Sequence, residues 1–209
     1  MALRSVKVSL RDEPVPLPKL RYESATSVEL ALLKRRSVRD FRDAPLALDD
    51  LGQLLWAAQG LTDRAGLRTA RSAGALYPLE LYTVAGNVQG LPAGLYHYVP
   101  RRHALLRIAD GDKRQARGRA AYDQTSIAEA PAILVVCAVY ERVTGKYGER
   151  GLRYVHMEAG HASQNVYLQA VSLRLDTVVL GAFDDVRVAE TLALGPQEQP
   201  LYLMPIGRV

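Results

Sequence analysis

"LRYVHMEAGHASQNVYLQAVSLRL", residues 152–175, places Leu152, Val155, Ala159, Ala162, Val166, Ala170 and Leu173 at steps of three and four, the spacing of one helical face. The stripe is small at Ala159, Gly160 and Ala162, which suits close approach by another helix across a subunit interface. The text on either side changes period. "DTVVLGAF" (176–183) and "AILVVCAVY" (132–140) read as buried strands, "LELYTVAG" (79–86) as a third, and "GLYHYVPRRHALLRI" (94–108) as two strands joined by a proline turn. "TSVELALLKRRS" (26–37) predicts a helix with Thr26 and Glu29 as its capping box. A second helix has Leu48 as staple, Asp49 or Asp50 as cap and an apolar face of Leu51, Leu54, Leu55 and Ala58, and it stops at Gly60. "DDVRVAETLAL" (184–194) predicts a capped helix and "PLYLMPIGRV" (200–209) a terminal strand. Helices and strands mix without strict β-α-β alternation, so the expected class is α+β, a sheet flanked by helices.

A chain of 209 residues with 48% hydrophobic content buries one ordinary core. The expected organisation is an N-terminal arm, 1–25, followed by one domain, 26–209; the proline-bearing "DEPVPLPKL" (12–20) favours extended backbone lying over the body. A single cysteine, Cys137, sits in an apolar strand and excludes an intramolecular disulfide. There is neither a signal-peptide pattern nor an apolar run approaching about 18 residues, so the expectation is a cytoplasmic protein without membrane contact.

The net charge of +5 and pI near 9.4 raise nucleic acid or an anionic ligand as partners. The basic patches, Lys34 to Arg42, Arg64 to Arg71, Arg101 to Arg107 and Lys113 to Arg119, are broken by acids or small residues and lack interleaved aromatics for base stacking. No nucleic-acid partner is expected. Gly145-Lys146 lacks the glycine-rich lead of a phosphate loop, and no dinucleotide fingerprint follows a strand. His156 and His161, five apart, point roughly 140° from one another on a helix, so no shared metal is expected. There is no Gly-x-Ser-x-Gly elbow, and Cys137 has no neighbouring activator.

One basic patch is not explained by a solvated face. In "KRRSVRDF" (34–41), Lys34 and Arg35 complement the negative end of a helix dipole, but Ser37 and Arg39 lie past the helix end. A hydroxyl and forked donors there can converge on a phosphate monoester.

"RRSVRDF" (35–41), "SAGALYPLELY" (72–82), "KYGERGLRYVHMEAGHASQNVYLQA" (146–170), "GAFDD" (181–185) and "LMPIGR" (203–208) together resemble the nitroreductase superfamily and, within it, the SagB-type azoline dehydrogenase branch. The resemblance implies a nitroreductase-like fold with a central mixed or antiparallel sheet, an intertwined homodimer and FMN at its interface. It implies that Arg35, Arg36, Ser37 and Arg39, joined by Arg208, bind the phosphate. Ser72, Ala73, Gly74 and Ala75 would contact the flavin through a loop of small residues, where bare backbone can approach a ring. Gln124 would pair with the pyrimidine edge, and a backbone N–H of Leu180-Gly181-Ala182 would point at N5. A Lys-Tyr pair matching Lys146 and Tyr147 is implicated in azoline oxidation, with Gly145 and Gly148 letting that loop fold over substrate. The family pattern reads proline where this chain has Arg71.

The expected function is an FMN oxidoreductase acting on a small molecule through flavin N5. Two chemistries fit: reduction of nitroaromatics or quinones driven by NADH or NADPH, and oxidation of an azoline ring, with a cyclodehydratase as the partner that would accompany it. A non-catalytic flavin or nucleotide carrier or sensor is the alternative from another class.

Overall fold

A computed structural model describes residues 13–112, 114 and 124–209. The arm's first twelve residues and most of the basic patch at 113–119 therefore lie outside the described residues.

Strand β7 (Ala132–Val139) shows how the layers form, since all eight of its residues are buried. Successive side chains of a strand point to opposite faces. Ala132, Leu134, Val136 and Ala138 pack on one side with Leu51, Leu54 and Leu55 of α2 (Leu48–Gln59) and Val155, Ala159, Ala162 and Val166 of α5 (Arg150–Ser172). Ile133, Val135 and Cys137 face the other way, towards Ile127 of α3 (Thr125–Glu129) and Val188 of α6 (Asp185–Thr191). The sheet is thus the middle of three layers. A strand covered on both faces reads as an unbroken apolar run, as this one does.

The seven strands run in the order β1 (Val15–Pro16), β6 (Ala104–Asp110), β5 (Gly94–Val99), β3 (Leu79–Ala85), β7, β9 (Glu198–Gly207), β8 (Asp176–Thr177). Every pairing among them is antiparallel. Among the described residues, parallel pairing occurs only between β2 (Leu46–Ala47) and β4 (Val88–Gln89) and at a single bridge from Ser37 to Thr177 at the β8 edge. The proline-bearing segment forms the edge strand β1. It then crosses α2, where Arg21 and Gln53 exchange two hydrogen bonds of 3.0 and 2.9 Å.

Several local expectations are corrected. Helix α1 (Val28–Lys34) is capped by Ser27, whose Oγ accepts the Leu30 N–H at 3.2 Å, not by Thr26. Helix α2 begins at Leu48 with Ala47 as its N-cap, so Asp49 and Asp50 lie in the first turn; Asp50 is buried and pairs with Arg21 instead. "DTVVLGAF" contributes only the two residues of β8 and a bridge at Leu180. The stripe of α5 is buried within its own chain at Ala159 and Ala162, while Leu152 and Gly160 are exposed. Exposed apolar side chains lie on α1, at Val28, Leu30, Leu32 and Leu33, and on α5 at Leu152 and Met157.

Candidate active site

Strand β7 is followed, after Tyr140, by α4 (Glu141–Tyr147), so Lys146 and Tyr147 occupy the last turn of a helix, not the flexible loop that the flanking glycines suggested. Gly148 ends that helix at φ 57°, ψ −151°, a conformation that is essentially glycine's alone. Leu79 lies opposite Ala138, and the Val139 N–H donates to Pro78 O at 2.9 Å. This register sets the turn before β3, residues 72–75, beside α4. Arg142 clamps the two together, donating to Tyr77 O at 3.0 Å and pairing with Glu80. Burial opposes ionisation of Glu80, yet hydrogen bonds from His97 and Arg142 outweigh it and hold its carboxyl below the ordinary value.

Gly74 shows how close the turn comes. Its φ is +63°, and a β-carbon there would stand 2.8 Å from Tyr147 Oη and 3.2 Å from Lys146 Nζ. Only a residue without a side chain leaves both groups in place. Tyr147 meets Tyr154 edge-on, with centroids 5.3 Å apart at 87°. Arg71, Ala73, Gly74, Tyr147, Tyr154, Met157, Glu158 and His161 line a cavity of about 280 Å³. Lys146 itself is exposed, so this chain alone does not enclose it.

The arginine segment lies elsewhere. Ser37 bridges Thr177, the Val38 N–H donates to Thr177 O at 3.1 Å, and Arg42 N–H donates to Arg208 O at 2.8 Å. Phe41 covers Gly207, where an added β-carbon would come within 2.8 Å of the ring. Ser37 and Arg208 therefore share one end of the sheet. Arg35 stands over the Tyr167 ring at 5.0 Å. Arg39 is exposed and makes no ion pair among the described residues, while Arg208 lies 3.4 Å from Asp50. Lys34 lies in the last turn of α1 and Arg35 is its C-cap, while Arg36 donates to Leu33 O and Arg35 O at 2.9 and 2.8 Å. Gln124 and the 180–182 turn do meet, since Gln124 Nε2 donates to Ala182 O at 3.1 Å.

The two groups sit towards opposite ends of α5. Tyr154 packs on Tyr147 and Tyr167 on Arg35. Thirteen residues of helix at 1.5 Å each put these anchors about 20 Å apart.

Residues 32–208 match the model of the nitroreductase family. The chain is also 50% identical over 181 residues to a Methanocaldococcus jannaschii protein named as a nitroreductase, covering 87% of this chain and 90% of that one.

The chain belongs to the nitroreductase family.

A crystal structure named as a nitroreductase from Ralstonia eutropha JMP134 is similar over 100% of this nitroreductase-family chain and 95% of its own, with TM-score 0.82 and 30% identity. The microcin B17-processing protein McbC of Escherichia coli is 33% identical over 144 residues, 66% of this chain and 53% of McbC. The structure of the E. coli microcin synthetase McbBCD complex with truncated pro-MccB17 bound contains a chain similar over 100% of this one and 82% of its own, at TM-score 0.72 and 26% identity. Among the described residues no helix is long and apolar enough to cross a membrane, and no cluster of potential metal ligands occurs.

Two residues of this nitroreductase-family site escape a reading of the motifs. Tyr167 is buried, its hydroxyl accepts the Val179 N–H at 2.8 Å, and it lies 3.0 Å from Ser37 Oγ. It thereby joins the arginine segment to the turn at 180–182. The signal is a tyrosine beside the apolar stripe, since a buried phenol seeks a partner. Glu158 is 2% exposed, and neither carboxylate oxygen has a hydrogen-bond partner. Burial is the main cause that raises its pKa to about 7; Ser72, Arg68 and Gln59 pull the other way, with Ser72 and Gln59 close but outside ordinary hydrogen-bond geometry. The signal for Glu158 is an acid one position before Ala159 in an inward-facing stripe.

Proposed function

We propose that the chain is an FMN-dependent oxidoreductase that oxidises an azoline ring in a small molecule. The observation that carries this reading is the Tyr147 hydroxyl, with the Lys146 amine beside it, against the bare backbone of Gly74. The residues suit FMN. Arg35, Ser37, Arg39 and Arg208 offer charge-assisted donors for its phosphate, Gly74 offers a surface that a β-carbon would obstruct, and the Gly181 and Ala182 N–H groups are used by no backbone hydrogen bond among the described residues. Gln124 and Leu180 shape the same turn. When bound, FMN supplies a two-electron hydride acceptor and donor at N5.

This chain's own residues do the rest. Ser72–Ala75 would lie along the ring, and the Lys146–Tyr147 pair would handle the proton that leaves as the azoline is oxidised. Lys146 is exposed, and Val28, Leu30, Leu32 and Leu33 of α1 are left bare, so one chain neither encloses the Lys146–Tyr147 pair nor covers its own apolar helix face. The reading therefore includes a homodimer, in which one copy supplies the arginines and its partner the turn, in a single domain, 26–209, with 1–25 as an arm. Similarity to McbC, named for processing microcin B17, favours azoline chemistry and a cyclodehydratase as partner. The relatives named as nitroreductases favour a second reading, NADH- or NADPH-driven reduction of nitroaromatics or quinones. A carrier or sensor without turnover is the competing class.

Purified protein should be yellow and should oxidise a 2-phenylthiazoline-4-carboxamide to the thiazole. Lys146→Ala should keep FMN, lower that rate about a hundredfold or more and leave nitro reduction nearly unchanged. A variant as fast as wild type on the thiazoline would refute the assignment of the pair, and yellow protein that no reductant bleaches would favour the carrier.

A further inference from the structure

Among the described residues, Glu158 is the one carboxylate on the wall of the cavity that Gly74 and Tyr147 shape. It projects from the inner face of α5, one turn beyond Tyr154. Both of its oxygens are buried without a hydrogen-bond partner. Such a group is costly to bury and to leave unmatched, and it persists where it serves an incoming proton or ligand. The other groups facing it are specific. Arg68 attracts its charge from the loop before the turn, but is itself engaged, donating to Gln59 Oε1 at 2.8 Å and standing 4.5 Å over the Tyr77 ring. Ser72 Oγ is turned to accept the Tyr77 N–H at 2.9 Å. Gln59 Nε2 is buried and unpartnered beside it. Arg71 and His161 also line the cavity, with Tyr147 and Tyr154 as its phenols. Lys146, by contrast, is exposed.

From this arrangement we infer that Glu158 is the carboxylate that finally accepts the proton released when the azoline is oxidised. The inference rests on the azoline reading above and deepens it. Oxidation removes two hydrogens from neighbouring ring carbons. One leaves with its bonding pair, as hydride to FMN. The other leaves as a proton, its bonding pair becoming the new ring double bond. That proton requires an acceptor inside the cavity, and the Glu158 carboxylate becomes a neutral carboxyl on receiving it. Tyr147, whose hydroxyl stands at Gly74 and which lines the same cavity, is the relay. Molecular oxygen, as the final oxidant, takes the two electrons from the reduced flavin. A carboxyl that titrates near neutrality is suited to both halves of this cycle, being ionised before turnover and able to release its proton afterwards.

The test uses Glu158→Gln and Glu158→Asp in the full chain, with folding checked by circular dichroism. The first readout needs no turnover: the infrared carbonyl band of a protonated, unbonded carboxylic acid should be present at pH 5, fade through neutrality in wild type, and be missing from Glu158→Gln. The second is oxidation of 2-phenylthiazoline-4-carboxamide across pH. Glu158→Gln should keep FMN, lose at least about a hundredfold in thiazoline oxidation and lose the inflection near neutrality; Glu158→Asp should be slower than wild type but keep an inflection. Should Glu158→Gln fail to fold, the aspartate variant carries the test, and a wild-type rate with an unchanged profile for it would overturn the inference. So would a Glu158→Gln variant as fast as wild type, and in that case the azoline reading stands. If wild type leaves the thiazoline untouched, the azoline reading fails and the role of proton acceptor with it, while the infrared titration still decides whether Glu158 exchanges protons with the cavity.

Discussion

The Ser37 hydroxyl lies 3.0 Å from that of Tyr167, whose oxygen also accepts the Val179 N–H at 2.8 Å. One phenol thus holds the arginine segment and the turn at 180–182 in a fixed relation. Tyr167→Phe should leave the Val179 N–H unsatisfied and lower stability by about 1–3 kcal/mol. It should also weaken FMN retention, read as flavin released on dilution; full retention with unchanged stability would show the hub to be idle.

Arg35 and Arg39 project beyond α1, while Arg36 is occupied by its carbonyls. Arg35→Ala with Arg39→Ala should give colourless protein, whereas Arg36→Ala should stay yellow and lose only about 0.3–1 kcal/mol at the helix end. The flavin absorbance per mole of purified protein separates these outcomes, and a fully yellow double variant would remove the phosphate assignment.

Gly74 and Gly145 form a matched pair of controls. Gly74→Ala places a methyl 2.8 Å from Tyr147 Oη at a positive φ, so it should displace Tyr147, lower stability by about 1 kcal/mol or more and depress thiazoline oxidation. A β-carbon on Gly145 meets nothing within 4 Å inside α4, so Gly145→Ala should be neutral or stabilising by about 0.5–1 kcal/mol. Thermal melts and rates on both variants test the clamp.

Val28 and Leu33 are 65% and 69% exposed on α1. An apolar helix face left in water suits contact with a second copy. Val28→Asp with Leu33→Asp should convert the proposed dimer to a monomer in light scattering and release FMN at the same time. A monomeric wild type that holds FMN would overturn the dimer.

Glu158 makes stability depend on pH. Its pKa stands at about 7 in the folded chain against 4.5 as the ordinary value. Between these values the folded state binds more protons than the unfolded, so the stabilisation is fully present below the lower value and is lost as pH rises through the higher. Measured by urea unfolding, wild type relative to Glu158→Gln should lose roughly 2–3 kcal/mol between pH 5 and pH 8. A constant difference across that range would mean that Glu158 keeps an ordinary pKa.

Element types were legible in the sequence because they depend on local period and punctuation. The apolar run at 132–140 and the three-four stripe at 152–175 each report the backbone that can bury them, and "RRSVRDF" displays its donors in consecutive residues. What covers a stripe is a different matter, since an apolar face is the same in sequence whether its own chain or a second copy buries it. Only the tertiary structure showed that Ala159 and Ala162 face this chain's core while α1 stays bare. Pairing by register likewise joins residues far apart in the chain. Leu79 opposite Ala138 is what brings Gly74 to Tyr147, and the bridge from Ser37 to Thr177 is what brings the arginines to the sheet's other end. Glu158 and Tyr167 belong to the same category, because a polar side chain on a helix acquires its meaning from the elements packed over it, and burial of a carboxyl is a property of that packing alone.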